Sequence, residues 1–220
     1  MAGIAFFDLD KTITRQGTWS RFVRRATPEP RFLAGLPRLA TQAAAYKAGL
    51  ASRGSVKECA IELYLRGRHR SELEAIADEF AEEEMTSGVR PGAVEAIKTH
   101  KDAGDRLVIA SAAADLIVEA IGRRLGFEDF ICTKLAWSSD GRLLPKLGGE
   151  NCYGLEKLAR VKTFMETQDP TKPTAFYSDH ITDLPCLEWA DTGVAVNPEP
   201  KLRTAARKKN VPIVDWDQIS

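Results

Sequence analysis

The strongest constraint on this chain is a set of short runs that are apolar throughout instead of alternating. They are Ile4-Ala5-Phe6-Phe7, Leu107-Val108-Ile109-Ala110, Ala175-Phe176-Tyr177, Gly193-Val194-Ala195-Val196 and Val211-Pro212-Ile213-Val214. A strand with one wet face alternates, whereas a strand covered on both faces reads as a continuous apolar run. Helical patterns separate the runs. Ala93 to Lys101 leads into the Leu107 run, and Asp115 to Leu125 has apolar residues at 116, 117, 120, 121 and 125. Leu155 to Met165 repeats the pattern with Leu155, Leu158, Ala159, Val161 and Met165. Strand-helix alternation of this kind predicts an α/β fold, a parallel sheet between two helical layers. Phe130 to Trp137 reads as a further strand, Ser139 to Arg142 as a turn, and Leu143-Leu144 as its return in a short hairpin.

One segment breaks the alternation. Between Thr14 and Gly88 there is no strand pattern, only helical ones. Ser71 and Glu74 stand at capping-box spacing ahead of Leu73, Ile76, Ala77 and Phe80. Ser55 reads as another helix start, with Val56, Cys59, Ala60, Leu63 and Tyr64 inward. The expected organisation is an α/β core of residues 1–14 and 89–220 and an all-helical insert, residues 15–88. Arg15 to Arg70 holds twelve Lys and Arg against three Glu, while residues 71–88 hold seven acids and no base. Two readings stand: solvated faces of opposite bias, or a lid that attracts an anionic substrate or an anionic membrane surface.

Composition excludes several classes. Thirty-one basic residues balance thirty-one acidic ones, which argues against a dedicated nucleic-acid binder. Cys59, Cys132, Cys152 and Cys186 lie far apart, so neither a disulfide framework nor a zinc site is expected, and a reducing cytoplasm fits. Met1 to Phe7 lacks a basic region and runs into Asp8 and Asp10, unlike a secretory signal. No membrane span is expected. The nearest candidate, Phe32 to Leu50, contains Pro37, Arg38 and Lys47 and reads as a soluble or interfacial helix.

Chemistry-bearing residues follow the apolar runs. The first run ends in Asp8-Leu9-Asp10-Lys11-Thr12. In open parallel sheets, ligands bind at this carboxyl edge. Two carboxylates spaced i, i+2 on a strand would share a face, repel, and call for a hard cation such as Mg²⁺. The Ala175 run ends in Ser178-Asp179, with Asp183 four residues on, so a parallel sheet would bring further carboxylates to the same edge. Ser111 ends the Leu107 run ahead of a helix, and Lys157 lies early in another helix. Each has a plainer reading: Thr12, Ser111, Asp179 and Asp183 as helix caps, Lys157 as solvated surface.

Taken together, the order and spacing resemble the haloacid dehalogenase superfamily, in particular its phosphoserine-phosphatase-like branch with a helical cap after the first motif. Motif one matches Phe6 to Thr12, motif two Ser111, motif three Lys157, and motif four Ser178 to Leu184. The resemblance covers nearly the whole chain and implies a Rossmann-like core and a Mg²⁺-dependent phosphatase acting on a small phosphorylated substrate. It assigns Asp8 as the nucleophile that forms an aspartyl phosphate, and Asp10 as general acid and then base. Thr12, Ser111 and Lys157 would hold phosphate. Asp8, the main-chain carbonyl of Asp10, and Asp179 would hold Mg²⁺, with Asp183 behind them orienting Lys157 or metal-bound water. Asp10 itself disfavours the dehalogenase reaction, whose enzymes lack this acid.

Two departures bear on the substrate. Phosphoserine phosphatases usually carry a glutamate nine residues after the nucleophile, to bind the substrate ammonium; here that residue is Gly17. They also follow the motif-two serine with two glycines, where this chain has Ala112 and Ala113. Phosphoserine is therefore expected to be a poor substrate. Selectivity is expected from Arg15 and Trp19 beside the nucleophile loop, and from His180 at the site edge. The alternatives sharing these residues are a phosphotransferase or phosphomutase with the same intermediate, and a non-catalytic phospho-acceptor signalling domain.

Overall fold

The computed structural model describes residues 2–218. Its centre is a six-stranded sheet in the order β3-β2-β1-β6-β7-β8, every neighbouring pair parallel. The strands are β1 (Ile4–Phe7), β2 (Arg106–Ala114), β3 (Asp129–Thr133), β6 (Thr174–Ser178), β7 (Thr192–Val196) and β8 (Ile213–Val214). Their uninterrupted apolarity has a direct cause. Ala5, Phe7, Leu107 and Ile109 enter one core cluster, and Ile4, Phe6, Val108 and Ala110 enter the other on the opposite face. Helices α5 (Pro91–Asp102), α6 (Asp115–Leu125), α7 (Leu155–Met165), α8 (Leu184–Trp189) and α9 (Pro200–Lys209) cover these faces.

Register decides what meets at the carboxyl edge. Phe7 pairs with Ile109 on one side and Tyr177 on the other. The main-chain N–H of Asp8 continues the ladder to Tyr177 O at 2.9 Å. Asp8 and Asp179, just past the ends of β1 and β6, and Ser111, still within β2, which runs on to Ala114, therefore lie within a residue or two of one line across three adjacent strands.

The insert contains α1 (Thr18–Arg25), α2 (Glu29–Lys47), α3 (Arg53–Ala60, continuing as a wider turn over Ile61–Leu65) and α4 (Arg70–Glu83). The chain leaves the sheet edge at Thr14 and returns beside it at Val89. There Arg15 N donates to Gly88 O at 2.7 Å and Arg90 N to Ile13 O at 2.9 Å. Among the described residues, no helix is long and apolar enough to cross a membrane.

Several expected boundaries move. Phe130–Trp137 is not one strand: β3 ends at Thr133, and β4 (Leu135–Trp137) turns away to pair with β5 (Leu143–Leu147) in a separate antiparallel hairpin. The hairpin bonds to the insert, with Gly67 N on Leu143 O at 2.9 Å and Arg70 N on Gly141 O at 2.8 Å. Those contacts start α4 two residues early, where His69 Nδ1, not Ser71, accepts the cap bond, from Ser71 N at 3.3 Å. Likewise α3 is capped by Ser52, whose Oγ accepts from Ser55 N at 3.0 Å, so Ser55 lies inside the helix instead of starting it. Strand β8 is shorter than its apolar run, because only Ile213 and Val214 reach the sheet.

The insert's opposed charges largely meet each other. Arg25 pairs with Glu79 and Glu83, Arg68 with Glu72, Arg70 with Glu74, and Arg21 lies 2.5 Å from buried Glu84. Among the described residues, no carboxylate pairs with Arg24, Arg31, Arg38, Lys47, Arg53 or Lys57.

Candidate active site

Asp8 follows β1 with an extended backbone (φ −70°, ψ 155°), after which Leu9–Ile13 makes a tight turn with Lys11 at φ 65°. The turn, not a continuing strand, places Asp10. The i, i+2 geometry therefore does not stack the two carboxylates on one strand face. Instead Oδ1 of Asp10 accepts from both N and Oγ1 of Thr18, each at 2.7 Å, at the start of α1.

Asp8 is buried and held at both oxygens. Lys157 Nζ donates to Oδ1 at 2.9 Å, and Thr12 Oγ1 lies 3.4 Å from Oδ2. The same Thr12 hydroxyl lies 3.4 Å from Oδ1 of Asp179, so it links the two carboxylates but can donate to only one at a time. Thr12 lies beneath the carboxylates and is not among the residues lining the cavity. Lys157, in the first turn of α7, also donates to Asp183 Oδ2 at 2.6 Å, and Ser178 Oγ donates to that oxygen at 2.7 Å. The other oxygen of Asp183 is buried and meets no donor.

One buried ammonium thus faces three buried carboxylates. Burial pushes Asp8 up to about 6, against the pull of Lys157. Burial, then the charges of Asp8 and Asp183, pushes Asp179 up to about 7. Burial alone would lower Lys157, but Asp183 and Asp8 outweigh it and hold the proton firmly. This excess of negative charge, with an orphaned carboxylate oxygen beside it, suits a hard divalent cation. Among the described residues, no three His, Cys, Asp or Glu side chains form a metal-binding cluster. A cation here would take side-chain oxygens from Asp8 and Asp179 and complete its shell with main-chain and solvent oxygens.

A cavity of about 180 Å³ opens above these groups and is lined by Asp8, Asp10, Ser111, Lys157 and Asp179. Ser111 is buried, and its Oγ accepts from Ala113 N at 3.3 Å. It does not cap α6, which begins after Ala114 without a side-chain cap. His180 stands at the rim. Its Nδ1 is 2.9 Å from Thr182 Oγ1 and its Nε2 3.5 Å from Glu199, and burial lowers its pKa below the ordinary value. Trp19 is half-buried and lines a neighbouring cavity. Arg15 points elsewhere: its guanidinium pairs with Asp217 outside both cavities.

Four residues near the site were not singled out from the sequence. Thr18 holds Asp10; Arg53 and Lys57 reach from the insert to the core, where Lys57 meets Asn151. Lys57 Nζ donates to Ala112 O at 2.5 Å and to Asn151 Oδ1 at 2.8 Å. Only Thr18 left a local trace, as a helix-starting residue just after the second acid.

The family model for haloacid dehalogenase-like hydrolases matches residues 5–188, a span that includes Asp8, Asp10, Ser111, Lys157, Asp179 and Asp183. The chain belongs to that family. The hydrolase is 35% identical over 186 residues to protein CicA of Caulobacter vibrioides, covering 84% of this chain and 82% of that one. It is 31% identical over 154 residues to the phosphoserine phosphatase SerB1 of Mycobacterium tuberculosis, covering 70% of this chain but 50% of that protein. A crystal structure of a protein of unknown function from Bordetella pertussis shares the fold with a TM-score of 0.86, covering 98% of this chain and 99% of that one at 24% identity.

Proposed function

We propose that this hydrolase is a Mg²⁺-dependent phosphomonoesterase that works through an aspartyl phosphate on Asp8. The observation that carries the reading is the Lys157 bridge, 2.9 Å from Asp8 and 2.6 Å from Asp183, in the floor of a cavity whose wall holds Asp10. A lysine so fixed can hold phosphoryl oxygens beside a carboxylate nucleophile without a proton to lose.

The chemistry divides in two. A carboxylate oxygen of Asp8 attacks phosphorus, the ester P–O bond breaks, and protonated Asp10 gives its proton to the leaving alcohol oxygen. Asp10 then takes a proton from water as the water oxygen attacks phosphorus, which frees Asp8 and inorganic phosphate. Thr18 fixes Oδ1 of Asp10, leaving the other oxygen for the proton. Ser111 and Lys157 bind the phosphoryl oxygens, Thr12 steadies the carboxylates beneath them, and Asp183 positions Lys157. Asp8, Asp179 and the main-chain carbonyl of Asp10 would hold Mg²⁺, which would supply positive charge where an anion meets an anion. Residues 15–88 act as the cap, with Trp19 and His180 facing the alcohol half of the substrate. The naming of SerB1 as a phosphoserine phosphatase supports the reaction class.

Asp8→Asn tests the reading. It keeps the shape of the side chain and removes the attacking anion. Phosphate release from an aryl phosphate should fall on the order of 10³-fold or more, with an unchanged circular dichroism spectrum. Wild-type turnover in Asp8→Asn would reject it.

A further inference from the structure

A second cavity, of about 370 Å³, lies against the first and shares Asp10, Arg53 and Ala112 with it. Asp10 thus stands in the partition between them. Under the proposed reaction, on which this inference rests, the alcohol half of the substrate leaves past that residue. The second cavity is where it would lie.

Its walls have a definite chemistry. Trp19, Tyr46 and Val56 give it planar and aliphatic faces, and Arg53 and Lys57 give it two cations. Asp10 is the one carboxylate among its lining residues, and Thr18 already engages it. Lys57 is 7% exposed, and its two hydrogen-bond acceptors, Ala112 O and Asn151 Oδ1, are both uncharged. An ammonium has three donors, so one remains. A buried cation without an anion is costly, whereas Arg25, Arg66, Arg68 and Arg70 of the insert are each paired with an acid of α4 or of the turn that continues α3. Arg53 sits at the mouth with its guanidinium over the Tyr153 ring, 4.4 Å from the centroid. That stacking holds it between the two cavities without consuming its charge.

We infer that this second cavity is a leaving-group pocket for phosphomonoesters whose alcohol carries an additional anionic group on an apolar or planar frame, with Lys57 and Arg53 as its counter-charges. An ammonium in the same place would meet two cations and no free carboxylate.

Three size-matched esters test the inference: 4-(carboxymethyl)phenyl phosphate, its carboxamide, and 4-(aminomethyl)phenyl phosphate. The expected order of kcat/KM is carboxylate, then amide, then ammonium, with about tenfold or more between first and last. Arg53→Gln and Lys57→Met should each compress that order, and Lys57→Arg should retain it. Calorimetric affinities of the three esters for the Asp8→Asn protein give a readout that needs no turnover, and the same order is expected. If Lys57→Met fails to fold, exposed Arg53 carries the variant test alone. Flat or reversed affinities in the Asp8→Asn protein would overturn the pocket assignment, as would an order that Arg53→Gln leaves untouched. Failure of the phosphatase reading looks different: no ester releases phosphate in an Asp8-dependent way, while the affinity order still stands.

Discussion

Thr18 grips Asp10 twice, through its main-chain N–H and its hydroxyl, both on Oδ1 at 2.7 Å. The first residue of the insert's first helix therefore sets the orientation of an acid that belongs to the core. Helix α1 and the proposed proton donor cannot move independently while these bonds hold. Any motion of α1 would therefore carry Asp10 with it.

Thr18→Val keeps the volume and the main-chain donor but removes the hydroxyl. Turnover of alkyl phosphates, whose alcohols need a proton to leave, should fall about tenfold. Turnover of p-nitrophenyl phosphate should fall less, and Thr18→Ser should recover most of the loss. Equal losses on both esters would show that Thr18 does not act through Asp10.

Removal of divalent metal should abolish activity, and Mg²⁺ should restore it. Ca²⁺ should restore little, because its larger and looser coordination shell misplaces the carboxylates. A chelator titration followed by metal add-back, with phosphate release as the readout, decides the matter. Full turnover in chelator would remove the metal role of Asp179.

Gly17 tests the substrate argument by gain of function. A Cβ built there meets no atom within 4 Å, and the backbone is ordinary at φ −64°, so Gly17→Glu should cost little stability. It would add an acid to the lining of the cavity that holds Asp8 and Lys157, at the sequence position where the resemblance to phosphoserine phosphatases leads one to expect a glutamate. Its kcat/KM for phosphoserine should exceed that of the natural chain by about tenfold. No gain would detach the ammonium preference from this residue.

Lys57 should leave a mark on stability against pH. Burial lowers its ammonium to about 8 in the folded protein, while the unfolded chain keeps the proton to about 10.4. Between these values the unfolded state binds more protons, so the folded state gains stability as pH rises. Compared with Lys57→Met, the natural protein should gain about 2–3 kcal/mol between pH 7.5 and 10, read by urea denaturation at each pH. A constant difference across that window would mean that Lys57 is not desolvated.

Asp8, Asp179, Ser111 and the parallel sheet were legible in the sequence because each depends on local pattern. A run apolar on both faces must be a covered strand, and a polar residue at its end must emerge at the sheet edge. Parallel pairing then brings those ends together without further instruction. Lys157 needed the motif order, since one lysine in a helix says nothing by itself. The place of Asp10 was not legible: the turn at Lys11 carries it off the strand axis, and its partner Thr18 fixes it only once α1 packs. The β3–β4 break was also hidden, because the apolar pattern runs past Lys134 although the strands enter different sheets. What the sequence determined by itself was the layered fold, the carboxylate edge and the chemistry those groups can do. Only the tertiary structure decided that Arg15 turns away to Asp217, and that Lys57 reaches Ala112 and Asn151, 55 and 94 residues along the chain. The physical reason is that strand ends are set by local hydrophobic pattern. Contacts between the insert and the core are set instead by how two separately packed surfaces meet, which no local pattern encodes.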